Sequence, residues 1–225
     1  MSTRTVRRTT VTLPALDQPD LILAPVDVLK GGRSAGFVYA DADLRELDLA
    51  DAQLVEGRVT RLRSQRTVFE DLRVDSVAFE GCELSLLRWT GGRLSRVVFS
   101  DCRLMGSIFD GVVLDHVIFD RCRLDYASLL AVRTAGPVIF SGCSLRETGF
   151  TKVDLTAATF DACTMNLTAF DSGRYAGCDL RGNDLSTVRG VGSLRRVVID
   201  RPQLLQLAQA LAEDLDVAFG EDLQD

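Results

Sequence analysis

The chain has 225 residues, 46% of them hydrophobic and 26% charged, with a formal net charge of −6. That balance argues against a general nucleic-acid binder, which needs a basic surface. No apolar run approaches eighteen residues, so no transmembrane helix is expected and the membrane has no part in the reading.

Residues 1–10 are polar and basic, with Arg4, Arg7 and Arg8. They lack the long apolar stretch of a signal peptide, so a cytoplasmic location is expected, and the segment reads as disordered. Residues 11–35 hold two short apolar runs, Leu21-Ile22-Leu23 and Val26-Asp27-Val28-Leu29, among Pro14, Pro19, Pro25, Gly31 and Gly32. Residues 1–36 therefore read as a tail followed by a non-repeat cap.

From residue 37 to 189 the chain repeats every five residues. The blocks include Ala42-Asp43-Leu44-Arg45-Glu46, Val77-Ala78-Phe79-Glu80-Gly81 and Cys102-Arg103-Leu104-Met105-Gly106. The third residue of a block, its centre, is large and apolar, and the first is small or apolar. Helices place apolar residues at i, i+3, i+4 and i+7, and strands alternate; neither pattern fits. Two inward residues followed by three outward ones describe a chain that turns a corner in every block. Four sides close a square coil of twenty residues, with adjacent coils paired as parallel strands about 4.8 Å apart. Cys82, Cys102, Cys122, Cys143 and Cys163 keep that spacing, as do Phe79, Phe99, Phe119, Phe140 and Phe160. Trp89, Phe109, Leu129, Phe150 and Phe170 form a third column. The register slips by one residue at Ala135-Gly136-Pro137, read as a bulge at a corner. A second weak place is 57–66, where Ser64 stands at a centre.

Asp200-Arg201-Pro202-Gln203 opens a helix over about 201–215, with an acid to cap it, a proline in the first turn and a glutamine closing the box. Leu204, Leu207, Leu211 and Leu215 are expected to cover the open end of the last coil, beside Leu180 and Leu185. Leu205 and Ala212 lie toward another part of the helix and need a second surface. Residues 190–225 thus form a helix and tail, with Val217 to Phe219 as a short strand or packing tail and Glu221 onward frayed.

The composition of the chemistry-bearing residues points away from catalysis. His116 is the lone histidine, outward and beside Asp115, and no serine or cysteine stands in a partnering position. Gly31-Gly32 and Gly91-Gly92 lack phosphate-loop spacing. The six cysteines show neither CxxC nor Cys/His spacing, and they read as small apolar packing residues with free thiols. No metal, cofactor or catalytic residue is expected. What remains is surface: acids follow the centres at Glu70, Asp110 and Asp171 on one side, Glu80, Asp120 and Asp161 on another, and Asp75 and Asp115 on a third. Arg63, Glu83, Arg103 and Arg123 make a mixed column, and the repeats as a whole carry 17 bases against 22 acids.

The blocks Ala42-Asp43-Leu44, Cys178-Asp179-Leu180 and Asn183-Asp184-Leu185 resemble the A(D/N)LXX motif of the pentapeptide-repeat family. The resemblance covers about two-thirds of the chain. It implies an all-β solenoid, a right-handed quadrilateral β-helix, here with a C-terminal capping α-helix. It also implies a non-enzymatic protein that imitates DNA, binds DNA gyrase or topoisomerase IV, and alters sensitivity to quinolones or gyrase-directed toxins. A homodimer joined through C-terminal helices is implied as well. The competing expectation is an interaction scaffold for a different protein, since the repeat specifies the core and leaves the outside free.

Overall fold

The computed structural model describes residues 2–16, the backbone of 22–23, residues 32–218 and residue 220. The pentad pattern does build a coil of four sides. Residue i pairs in parallel with residue i+20, as Arg93 with Val113 and Phe99 with Phe119. Two parallel sheets result. One runs through Arg33–Ala40, Gln53–Thr60, Arg73–Glu80, Arg93–Ser100, Val113–Asp120, Val138–Ser141 and Thr159–Asp161. The other runs through Asp43–Ala50, Arg63–Glu70, Arg88–Thr90, Ile108–Asp110, Ser128–Leu130, Gly149–Thr151 and Ala169–Asp171. This is a quadrilateral β-helix of about seven turns with a helix at its C-terminal end.

Four faces follow from the centres. Face 1 is centred on Phe79, Phe99, Phe119, Phe140 and Phe160, and face 2 on Leu84, Leu104, Leu124 and Leu145. Face 3 is centred on Trp89, Phe109, Leu129, Phe150 and Phe170, and face 4 on Leu94, Leu114, Leu155 and Tyr175. All of these are buried. Most corners are made by the residue two places after a centre, in left-handed backbone: φ is 49° at Asp71, 56° at Ser76, 61° at Leu86 and 51° at Arg96. A non-glycine residue there costs about 1 kcal/mol. The ladders on either side hold the conformation in place.

Inside, the phenylalanine rings of face 1 lie face to face. Successive centroids from Phe79 to Phe160 are 4.8, 5.0, 5.0 and 4.7 Å apart. That is the coil spacing itself, so each ring fills one storey of the core. The six cysteines are buried free thiols. The Cys102 thiol donates to the carbonyls of Phe79 and Ser100, at 3.4 and 3.3 Å, and the Cys143 thiol to that of Phe119, at 3.2 Å.

The slip in register is where the sequence puts it. Leu114 pairs with Thr134, but Phe119 pairs with Phe140, so the extra residue lies between 134 and 138. The weak place at 57–66 has a packing reason. A Cβ on Gly57 would sit 2.2 Å from the Phe37 ring, so the glycine makes room for that ring. Ser64 is buried at its centre and its hydroxyl donates to the Arg66 carbonyl at 2.7 Å.

Three expectations are corrected. The first coil starts at Arg33, four residues before 37, because Arg33 to Ala40 pair throughout with Gln53 to Thr60. Residues 1–10 are not a disordered tail: β1 (Thr3–Val6) and β2 (Thr9–Thr12) form an antiparallel hairpin. It lies along face 1, where ion pairs and a small apolar cluster hold it. Of the expected N-terminal cap, β3 (Ile22–Leu23) adds to the edge of the first coil by pairing with Phe37 and Val38. Leu21 and Val26 to Leu29 lie outside the described residues, as do Phe219 and the tail from Glu221.

The third correction concerns α1 (Gln203–Asp214). It turns Gln203, Gln206, Leu207, Ala210 and Asp214 toward the rod. Gln203 Nε2 donates to the carbonyls of Leu180 and Asn183, both at 2.8 Å, and Gln206 Oε1 accepts the Leu185 N–H at 3.0 Å. Asp214 accepts the Val191 N–H at 2.8 Å. The open edge of the last coil is thus closed by amide side chains instead of the expected leucines. An exposed ladder edge presents unpaired N–H and C=O groups, which glutamine can satisfy and leucine cannot. Leu204, Leu211 and Leu215 face outward instead, 64%, 38% and 65% exposed, and Leu205 is 79% exposed. Only Leu207 of the expected set packs on the core. The capping box forms by half: Gln203 Oε1 accepts the Asp200 N–H at 2.7 Å, while the Asp200 carboxylate takes the Gly182 N–H at 3.1 Å.

Candidate functional site

The rod offers four outer faces, and the ion pairs sort them. Face 1 is closed by the hairpin. Arg4 reaches Asp120 at 2.7 Å, and Arg7 reaches Asp161 at 2.9 Å and Asp179 at 3.1 Å. Thr9 and Thr159 share a hydroxyl hydrogen bond of 2.6 Å, and the Thr12 N–H donates to His116 Nδ1 at 2.9 Å. Asp120 is therefore corrected as a partner-facing acid: it is buried, between Arg4 and Arg121. Asp161 is likewise engaged, and Glu80 pairs with Arg58 at 3.1 Å. His116 is taken up by the hairpin and is not arranged around a nucleophile.

Faces 2 and 4 carry charge that largely cancels. On face 4, Asp115 pairs with Arg93 at 2.6 Å and Asp75 with Arg96. On face 2, Arg63, Glu83, Arg103 and Arg123 stack as a ladder. Arg123 reaches the buried Asp125 at 3.3 Å. At the corner between faces 1 and 2, Arg61 makes a two-pronged contact with Asp41 at 2.6 and 2.7 Å, and its hydrogen bonding holds the Asp41 carboxyl below the usual range. Arg121 does the same for Asp101. Burial alone would raise Asp179, but Arg181 and Arg7 together keep it low.

Face 3 differs. Glu70, Asp110 and Asp171 are exposed on it, and among the described residues none of the three has an ion-pair partner. Asp51 and Asp71, at the corner leading to face 4, are also exposed and unpaired by any base. Sequence reasoning passed over these two because it counted acids only next to a centre; the corner position two places on was the signal. With Arg73, Asp75 and Arg93 they line an open groove of about 970 Å³. Of the sequence-predicted acids, the structure brings Glu70, Asp110 and Asp171 to one face and leaves Asp115, Asp120, Asp161 and Glu80 neutralised elsewhere.

Five of the six buried thiols are pushed up, and Cys163 is drawn below the usual thiol range by its bonding to Cys143. Bonding to the neighbouring thiol and burial push Cys82 up, and burial pushes Cys178 up. Among the described residues no three or more of His, Cys, Asp and Glu gather in a way that could hold a metal. No helix among them is long and apolar enough to cross a membrane. The open acids of face 3 display negative charge to solvent.

A five-residue period with its centre buried, four sides to the coil and a left-handed corner in most blocks define the rod. The chain folds as a quadrilateral β-helix of five-residue repeats. No protein-family profile and no curated protein matches the sequence. Among solved structures, the rod is similar to a trypsin-treated form of QnrB1, described as a plasmid-mediated fluoroquinolone resistance protein. They share 16% identity over 85% of this chain and 92% of that one, with a TM-score of 0.46. It is also similar to HetL from the cyanobacterium Nostoc sp., a pentapeptide repeat protein involved in heterocyst differentiation regulation. There the identity is 14% over 73% and 86% of the two chains, with a TM-score of 0.44.

Proposed function

We propose that this protein is a non-catalytic, cytoplasmic binding rod whose face 3 occupies a cationic protein surface in place of DNA, that of DNA gyrase or topoisomerase IV. Binding there would alter sensitivity to quinolones or gyrase-directed toxins. One observation carries the reading: among the described residues Asp51, Glu70, Asp71, Asp110 and Asp171 stand exposed along one side without an arginine partner, whereas Asp161, Glu80 and Asp115 on faces 1 and 4 are paired with Arg7, Arg58 and Arg93. Magnitude limits the imitation. The stretch from Asp51 to Asp171 spans about six coils, ~29 Å at strand spacing, over which duplex DNA carries roughly 17 charges. Five open acids imitate a few phosphates, so the contact is local.

The exposed leucines of α1 support a homodimer through the C-terminal end. Leu204, Leu211 and Leu215 share a stripe, Leu205 and Ala212 flank it, and none is needed to close the rod's own edge. A two-fold contact covers such a stripe with its copy. A scaffold for a different protein is the second reading. It is favoured by Leu86 and Tyr126, 69% and 51% exposed at the corner of faces 2 and 3, which no DNA backbone imitates.

The test is supercoiling by purified gyrase, and relaxation by topoisomerase IV, with the protein at micromolar concentration. Inhibition is expected, and weakened when Glu70→Lys and Asp110→Lys are combined. Asp43→Lys with Asp184→Lys, on face 2, is expected to change little. An absence of effect on both enzymes leaves the scaffold reading.

A further inference from the structure

Face 1 departs from the rule that residues flanking a centre are polar. Val98, Ile118 and Ile139 stand there in successive coils, after Ala78. Ile118 and Ile139 are both 0% exposed, because the hairpin lies over them: Val11 joins them, and Val6 and Leu13 pack on the same cluster. Beside this apolar strip Asp120 and Asp161 share the column after the centres, and Asp179 stands two coils beyond Ile139 in the strip's own column; these acids receive Arg4 and Arg7. The surface and its occupant match in both hydrophobicity and charge.

The occupant is not part of the rod's own construction. β1 and β2 pair only with each other and add no strand to either parallel sheet. The ladder beneath them is complete: Phe119 pairs with Phe99 on one side and Phe140 on the other. Two strands of four residues do not make an independently stable hairpin. Side chains hold it, together with one backbone contact, the Thr12 N–H on His116 Nδ1.

We propose that face 1 is a docking surface for an arginine-bearing β-hairpin of another protein, held closed in cis by the chain's own N-terminal hairpin. The apolar strip takes the inward side chains of the incoming hairpin, and Asp120, Asp161 and Asp179 take its arginines. Release of the native hairpin opens the site without breaking a single rung of the rod. This surface is separate from face 3, so it does not depend on the gyrase reading.

The probe is a fluorescein-labelled peptide of residues 2–16, titrated by anisotropy into the full-length protein and into full-length protein carrying Arg4→Glu with Arg7→Glu. The variant's own hairpin meets like charge on face 1, whereas the unmodified hairpin competes from its tether at an effective concentration of about millimolar. Saturable one-to-one binding to the variant is expected, about tenfold or more tighter than to the unmodified protein. The same peptide with both arginines replaced by glutamate is expected to bind neither. Hydrogen exchange on the unmodified protein gives a second readout, independent of how the variant folds: hairpin amides are expected to exchange through local opening, far faster than those around Phe119. Hairpin amides that exchange only together with the core overturn the proposal, and so does a variant with a freed hairpin that ignores the peptide. A dimer formed by exchanged hairpins, abolished by Arg4→Glu with Arg7→Glu, makes the occupant a second copy and also overturns it.

Discussion

Arg4 Nη2 lies 2.7 Å from Asp120 Oδ1, although 116 residues separate them in the chain. The contact ties the first strand to the fifth coil of the rod, and it buries a carboxylate that the repeat pattern alone would leave in water. Asp120 keeps Arg121 as a second partner at 2.5 Å, so removing Arg4 does not orphan it. A double-mutant cycle on Arg4→Ala and Asp120→Asn is expected to give a coupling of about 1 kcal/mol, between a surface pair and a buried one. Urea melts check it, and additive single effects would show that the hairpin is not held by this pair.

Phe119 sits between Phe99 and Phe140, with both centroid distances at 5.0 Å, and is 1% exposed. Phe119→Ala empties one storey of a stacked core and is expected to cost about 3–5 kcal/mol. Equal thermal melts for variant and parent would contradict the packing described above.

Gln203→Ala is expected to destabilise the C-terminal end by about 1–3 kcal/mol, because the Leu180 and Asn183 carbonyls lose their donor while the site stays buried. Chemical denaturation and exchange at Leu180 and Leu185 measure it. Leu204→Ala, on the outward side, is expected to leave monomer stability unchanged.

Alkali is expected to weaken the fold. Cys82 is raised by its bond to Cys102 and by burial, and Cys178 and Tyr175 chiefly by burial. A raised acid keeps its proton in the folded state after the unfolded chain has lost it. The stabilisation is therefore complete below the unfolded thiol value, ~8.5, and is lost progressively as pH rises above it. The urea midpoint is expected to hold between about pH 7 and 8 and to fall between about pH 9 and 11. Thiol titration is expected to find six unreactive groups in the native protein and six reactive ones after denaturation. A midpoint unchanged to about pH 11 would contradict the thiol burial.

Sedimentation addresses the outward leucines of α1. The intact protein is expected to be a dimer at tens of micromolar, by order of magnitude. Leu205→Glu with Leu211→Glu is expected to give a monomer of unchanged fold. A monomeric intact chain removes the dimer, and a dimer that survives both substitutions removes this interface.

The sequence by itself determined the coil. A period of five with one large apolar residue per block has a single way to bury that residue, and the regular spacing of cysteine and phenylalanine named the storeys and the slip between Thr134 and Val138. Local spacing sufficed there because each coil contacts chiefly its neighbours twenty residues away. It did not suffice at the ends. Arg4, Val11 and Arg7 carry no periodic signal, and their partners Asp120 and Asp161 look like any outward acids of the repeat; the apolar Ile118 beside a centre was the trace that face 1 is covered. Tertiary structure alone decided that the hairpin covers face 1, and so which acids are neutralised and which remain open on face 3. It also decided that Gln203 and Gln206, not the leucines, meet the last coil, since an edge of unpaired backbone groups demands hydrogen bonds before it rewards apolar burial.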